Sequence, residues 1–549
     1  MGHAMFFAAA IAASLLWTAA FTAAAARTSR GWLRSLLAAV GAGVPVLTLL
    51  PLLAGTWWLA FVVRVTANWF PHVLTVFLAA FIGGLWITRA GLVPSHGNAE
   101  PPAAHWPVVG LAALFVIAKA VCGGILLILD NAVAAQAPYL RLEAAQLMQA
   151  NLAPPVADDD NAAVLHQEAA AAIAAETSFA GEDSPLGKRG GTPGPETAAF
   201  LARHAATLDL VRRAADRDAC RFVRDWTRPS LDMLLPEVQA LRTEGRLLAL
   251  AARQAAADGR GGEALADVAR IGRLGRHAAA EPILISALVG IALDTIALET
   301  LADVLPTLTA ADLPALEGDA VRALISRPPT LTRALFGEEA FGLAMLAAFA
   351  DGTMGAAQLW QFQAVGNEAP APMGAADLGP VFRAFFLPTD IAGYRHVMHR
   401  YQQLAARQPP PDYAESKRET DAIERDVTAR PPGVLTRLIV PAIGGVFRTQ
   451  CRSEALHRSA TVLVAAARHR LRKGALPESL DALLPDYMPR VPRDPFADGK
   501  PLVLKRTDAA AVAYSVGPDG EDDGGPVAPG AATVEGNDDV GLVMVVGVP

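Results

Sequence analysis

The chain has 549 residues, too many for one ordinary domain, and 52% of them are hydrophobic. Its net charge is −7, yet residues 1–99 hold no Asp or Glu, and residues 1–130 carry six Lys/Arg against only Glu100 and Asp130. The acidic excess therefore lies beyond residue 130 and leaves no basic stripe, which excludes a nucleic-acid-binding protein.

Four apolar stretches, near 4–26, 36–63, 68–88 and 107–129, are each long enough to cross a bilayer, which takes about 20 residues. The first lacks the basic start of a signal peptide and is followed by three more, so it reads as a retained helix. Arg27, Arg30 and Arg34 follow the first stretch and Arg89 the third, whereas only Arg64 falls between the second and third. The positive-inside rule then places the N-terminus outside and the large C-terminal portion extracytoplasmic. In a bacterium that means a multi-pass inner-membrane protein with a periplasmic body. Lys119 sits mid-span in "FVIAKAVCGG" with no carboxylate in any span to pair with. It is the intramembrane candidate, and a snorkelling ammonium is the competing reading.

Residues 131–447 read as an α-helical extracytoplasmic domain, rich in Ala, Leu and Arg at 3.6-type spacing. The clearest unit is three consecutive helices, "PEVQALRTEGRLLALAARQAAA", "GEALADVARIGRLGRHAAA" and the very apolar "EPILISALVGIALDTIALETLADVL". Pro, Gly and acidic clusters predict loops over 152–196, 351–377 and 408–432. His396 and His399 share a helix face but lack the pattern of a metal site. Glu338 and Glu339 are expected in the first turn of a helix, where the dipole favours them. "GEDSPLGKR" misses phosphate-loop spacing by one residue, and no nucleophile motif occurs. Cys122, Cys220 and Cys451 form no CxxC and no zinc-ligand spacing; Cys220 and Cys451 are either a pair or two isolated thiols.

From Arg448 the character changes to a small α+β module over 448–549. An amphipathic helix ends at Gly474, a short capped helix follows in "LPESLDALLPDYMP", and strands are predicted in "PLVLKR", "AAVAYSVG" and "GLVMVVGV". The loop "GPDGEDDGG" starts as an EF-hand would, with Asp519, Glu521, Asp523 and Gly524, but Gly530 stands where a bidentate Glu is needed.

The order Leu476-Pro477, Leu480, Leu483, Asp494-Pro495, Gly499-Lys500-Pro501, Tyr514-Ser515-Val516-Gly517, Asp519-Gly520 and Asp538-Asp539 resembles the C-terminal part of the major pseudopilins of type II secretion. The resemblance covers about 100 residues, and similar tails close bacterial membrane proteins of unassigned activity. It implies a pseudopilin-like module and a structural Ca²⁺ held by Asp519, Asp522 or Asp523, and Asp538 or Asp539. A pilus role is not implied, because the leader and N-terminal helix of a pseudopilin have no counterpart before Arg448. The fold class expected is mainly α: four transmembrane helices, a helical extracytoplasmic domain and the α+β module. The function expected is an envelope scaffold, contacting lipid and protein partners. An envelope hydrolase with an unrecognised site, or a transport component using Lys119, are the alternatives.

Overall fold

A computed structural model describes residues 124–179, 184–187, 193–226, 236–326, 328, 330–354, 383–408, 410–429, 436, 441–507, 509–526 and 537–546, with Phe21, Ala24 and Arg27 ahead of them. The four expected spans, their orientation, Lys119 and Cys122 lie outside the described residues, save for those three positions and the helical end of the fourth span. The described chain is mainly helical, with one three-stranded sheet near its C-terminus.

The helices in chain order are α1 (Ala137–Asn151), α2 (Ala162–Ala174), α3 (Pro195–Arg203), α4 (Ala205–Ala215), α5 (Pro236–Ala257), α6 (Gly261–Ala278), α7 (Leu284–Val304), α8 (Leu313–Leu316), α9 (Asp319–Ser326), α10 (Thr332–Ala350), α11 (Leu387–Ala405), α12 (Tyr413–Ala429) and α13 (Pro441–Lys473). The strands are β1 (Val503–Arg506), β2 (Ala510–Ser515) and β3 (Val540–Val545), antiparallel in the order β1-β2-β3. Contacts divide the chain into two units, 1–140 with 345–392, and 141–344 with 393–549.

In the first unit, residues 124–134 are helical and leave Ile125, Leu127 and Ile128 exposed. Asp130 is held bidentately by Arg383, with Nε to Oδ1 at 2.7 Å and Nη2 to Oδ2 at 3.0 Å.

The second unit is built around α5, α6 and α7, which stand where the sequence places them. Turns at 258–260 and 279–283 fold the three back on one another. Gly275 of α6 and Gly290 of α7 let the two backbones meet: a Cβ on Gly290 would lie 2.8 Å from the Gly275 carbonyl oxygen. Among the described residues, α7 with its extension to Thr307 is the one helix long and apolar enough to cross a membrane, but 67% of that window is buried within the protein. Its apolar residues are spread round the helix, with α5, α6, α13 and β3 packed against it.

The core does not stop at residue 447. Leu463 of α13, Leu502, Ala513 and Met544 belong to the same buried cluster as Leu247, Val268 and Leu293. The predicted boundary at Arg448 falls inside α13, a continuous 33-residue helix.

Three local expectations need correction. Helices α2 and α12 occupy stretches expected to be loops. The buried face of α12 is Tyr413, Ser416, Thr420, Ile423 and Val427, so two of its five inward positions are hydroxyls and the apolar stripe is broken. The segment after Pro477 forms only a 3₁₀ turn, Asp481–Leu483. Because α10 begins at Thr332, Glu338 and Glu339 lie in its second turn, beyond the reach of the helix dipole's favourable end. Instead Glu338 faces the Leu284 N–H at the start of α7, and burial raises its pKa.

Where α7 meets α13, Asp294 is 6% exposed and its Oδ2 lies 3.6 Å from His457 Nε2. His457 Nδ1 donates to the Ser453 carbonyl at 2.8 Å, so Nε2 is an acceptor. Burial pushes the Asp294 carboxyl up to about 8 and lowers His457, so the pair is a protonated carboxyl against a neutral imidazole. The unfolded chain releases this proton near 4 while the folded chain keeps it to about 8. Stability therefore falls as pH rises through that window, by an amount on the order of several kcal/mol. Melting curves of Asp294→Asn should show a Tm above that of the parent at pH 8 and no gain at pH 4.

Candidate metal centre

The N-terminus of α2 is tied to an extended segment 60 residues away by Asn161. Its Oδ1 accepts from the Ala163 N–H at 3.1 Å, the N-cap bond, and from the Arg221 N–H at 2.9 Å. Its Nδ2 donates to the Arg221 carbonyl at 2.8 Å, and the Ala162 N–H reaches the Ala219 carbonyl at 2.8 Å. The guanidinium of Arg217 closes the clamp on the Asn161 carbonyl at 2.6 Å. Cys220 is thereby fixed beside His166, one turn into α2.

Two more elements complete the cluster. Glu244 comes from the middle of α5 and is fully buried, and His277 comes from the last turn of α6. His166 Nδ1 lies 2.7 Å from Glu244 Oε2, and His166 Nε2 lies 3.1 Å from His277 Nδ1. His277 Nε2 lies 3.0 Å from the Arg217 carbonyl. One ligand atom from each of His166, His277 and Cys220 falls within 4.8 Å of the others, and all three residues are buried. This is the one such grouping of three metal-ligating side chains among the described residues.

The hydrogen bonds fix the protons. A carbonyl only accepts, so His277 Nε2 must carry a hydrogen. Burial lowers its pKa to about 3, so the ring is neutral and its Nδ1 presents a lone pair. His166 Nε2 must then donate to it, and a proton must also lie between His166 Nδ1 and Glu244. Without a cation the cluster therefore needs an imidazolium–carboxylate pair, or a carboxylic acid, inside an apolar core, while Glu244 Oε1 has no partner.

A bound metal removes that requirement. Each imidazole would then donate outward, to Glu244 and to the Arg217 carbonyl, and turn its inner lone pair to the ion. This is the outer-shell arrangement that orients metal-bound histidines. The 3.1 Å between the inner nitrogens is close to the roughly 3.3 Å that two Zn–N bonds span at the tetrahedral angle. Cys220 is a free thiol raised well above its ordinary pKa by burial, then by Glu281 and Glu244, and a divalent ion would offset that cost by binding the thiolate. Cys220 and His277 also border a cavity of about 340 Å³, whose rim carries Arg217, Arg273 and Arg276 against the single carboxylate of Asp218.

Of these four residues the sequence drew attention only to Cys220, as a thiol outside any zinc-ligand spacing; His166, Glu244 and His277 were not singled out. The other candidates lie elsewhere. His396 and His399 are exposed on α11. Cys451 is buried in a separate cluster with Tyr413 and Phe496, so Cys220 and Cys451 are two isolated thiols. Asp519 is exposed and its carboxylate accepts from its own turn, at the Glu521 N–H. Asp522 accepts from the Tyr514 hydroxyl at 2.9 Å and from the Gly524 N–H at 3.0 Å. Asp523 accepts from the exposed Asp538 N–H at 3.1 Å, and Asp539 from the Gly525 N–H at 2.7 Å. Asp539 is 8% exposed, its Oδ1 has no partner, and its pKa is raised by burial and by Asp522 and Asp523. Gly525 sits at φ +91°, where a side chain is strained and its Cβ would lie 3.0 Å from the Tyr514 ring.

The Asp494 of the Asp-Pro pair has a structural task. Its carboxylate accepts from the Ser515 hydroxyl at 2.6 Å, the Phe496 N–H at 2.8 Å and the Val516 N–H at 3.0 Å, pinning the end of β2. Comparison with protein-family models, curated proteins and solved structures returned no match.

Asn161→Ala removes a helix cap and both bonds to Arg221, a loss of about 2–3 kcal/mol. Thiol labelling of the variant should speed up at Cys220 and stay unchanged at Cys451.

Proposed function

We propose that this chain is a membrane-anchored metalloprotein whose periplasmic helical body holds a zinc-type ion between His166, His277 and Cys220. The observation that carries the reading is the facing pair of inner nitrogens, with both outer nitrogens already held by acceptors. Three protein ligands with a cavity beside them form the pattern of a catalytic rather than a closed structural site. In such a site the ion supplies a polarised water at neutral pH, the chemistry of metal-assisted hydrolysis. Convergence of these groups in a helical cleft favours the envelope-hydrolase alternative over a pure scaffold. Anchoring through the N-terminal 130 residues in a bacterial inner membrane is supported by their composition and by the exposed Ile125, Leu127 and Ile128.

Metal analysis tests the centre. The purified full chain should carry about one equivalent of zinc, which His166→Ala, His277→Ala and Cys220→Ser each abolish. Glu244→Gln should weaken affinity by about 10- to 100-fold while leaving the ligands in place. A parent protein that takes up no zinc at micromolar free metal would overturn the reading.

A second reading concerns the pseudopilin-like module: the acidic loop holds a structural Ca²⁺. The buried, unpartnered Asp539 Oδ1 beside Asp522 and Asp523 supports it. Millimolar calcium should raise the Tm of the full chain, and Asp539→Asn should remove the rise without altering zinc content. An unchanged Tm in the parent would refute the calcium site.

A further inference from the structure

The cavity beside His277 and Cys220 is lined by guanidinium groups that the metal reading gives no task. A divalent ion, the Cys220 thiolate and the Glu244 carboxylate together sum to zero. The cavity itself then presents three guanidinium groups and one carboxylate. Arg217 is fixed by the main-chain oxygens of Asn161 and Asp158, at 2.6 and 3.3 Å, which position its charge without neutralising it. Arg276 reaches the Gly272 carbonyl at 3.4 Å and also acts electrostatically on Asp294 and His277. Arg273 is paired with Asp216 at 2.5 Å, in a network where Arg270 binds both Asp216 and Asp267, while the Arg273 Nε is buried with no partner. Asp218, the one acidic group on the rim, is exposed.

Guanidinium groups recognise oxyanions through paired, charge-assisted hydrogen bonds. A cavity of about 340 Å³ is at the small end of those that hold metabolite-sized ligands. We propose that this cavity binds the oxyanion group of a small substrate, a phosphate or a carboxylate, between Arg217, Arg273 and Arg276, with the substrate reaching the open side of the metal. The proposal rests on the metal reading and names the substrate class of that site. Arginine positioned by backbone is preorganised, so the anion is bound without the cost of ordering long side chains.

Cobalt(II) in place of zinc tests the two readings separately. A thiolate-to-cobalt absorption band reports the centre through Cys220, and the visible ligand-field bands report what occupies its open side. The expected result is that inorganic phosphate or acetate, titrated in separate arms, shifts the visible bands saturably and leaves the thiolate band intact. The arm with the tighter response identifies the oxyanion. Arg273→Gln and Arg276→Gln should each weaken that response about tenfold or more while keeping the thiolate band. Arg276 is exposed, so its replacement leaves the core intact. A thiolate band with no response to either anion, or a response unchanged in both variants, overturns the proposal alone. A parent chain with no thiolate band overturns the metal reading, and the proposal with it.

Discussion

Apolar residues spread round a helix must be covered from several sides, and the second unit is organised by that constraint on Leu284–Val304. Each neighbour covers one side of it: α5 and α6 from the hairpins that precede it, α13 and β3 from the far end of the chain. The Gly275–Gly290 contact brings two of these helices within backbone distance and sets the path of the last turn of α6. His277 sits two residues beyond Gly275, so the packing of the core and the placement of this histidine depend on the same crossing.

The same crossing decides which polar groups the interior tolerates. At the α7–α13 contact the solution is a proton: Asp294 keeps its hydrogen and faces a neutral imidazole. On the α4–α6 side it is charge pairing, with the fully buried Asp267 held by Arg212 at 2.5 and 3.0 Å and by Arg270 at 2.8 Å. Between α2, α5 and α6 the two imidazoles and the carboxylate of Glu244 share one proton in a buried chain, whose inner nitrogens a cation could bridge, and in this the cluster differs from the other buried polar contacts.

Much of the fold was legible in the sequence, and the site was not. Helices α5 to α7 were readable because their apolar spacing is strong and "DGRG" punctuates it, and the strands because "AAVAYS" and "GLVMVV" are short, apolar and bounded by glycine or acidic turns. Helix α2 hid behind the proline and aspartate run before Asn161, which is its cap and not part of a longer loop. The four residues of the centre come from three helices and one extended segment, and the two histidines are 111 positions apart. None has a partner at i+3 or i+4, so no local pattern marks them. Packing of α2, α5 and α6 brings His166, Glu244 and His277 together, and Cys220 joins them through the bonds of Asn161 across 60 residues, a contact without a sequence signature. The acidic loop, by contrast, was conspicuous in sequence because its carboxylates are adjacent. The structure gives most of them local hydrogen-bonding tasks and leaves Asp539 as the buried one.

The 33-residue α13 is about 50 Å long and packs against both the helical body and the sheet. Near its end, Arg468 and Arg472 bind Glu317, and Arg470 binds the carbonyls of Leu305 and Leu308. A rod fastened at that end and packed against α7, β2 and β3 ties the sheet to the helical body, so a cut within α13 should expose buried surface of both.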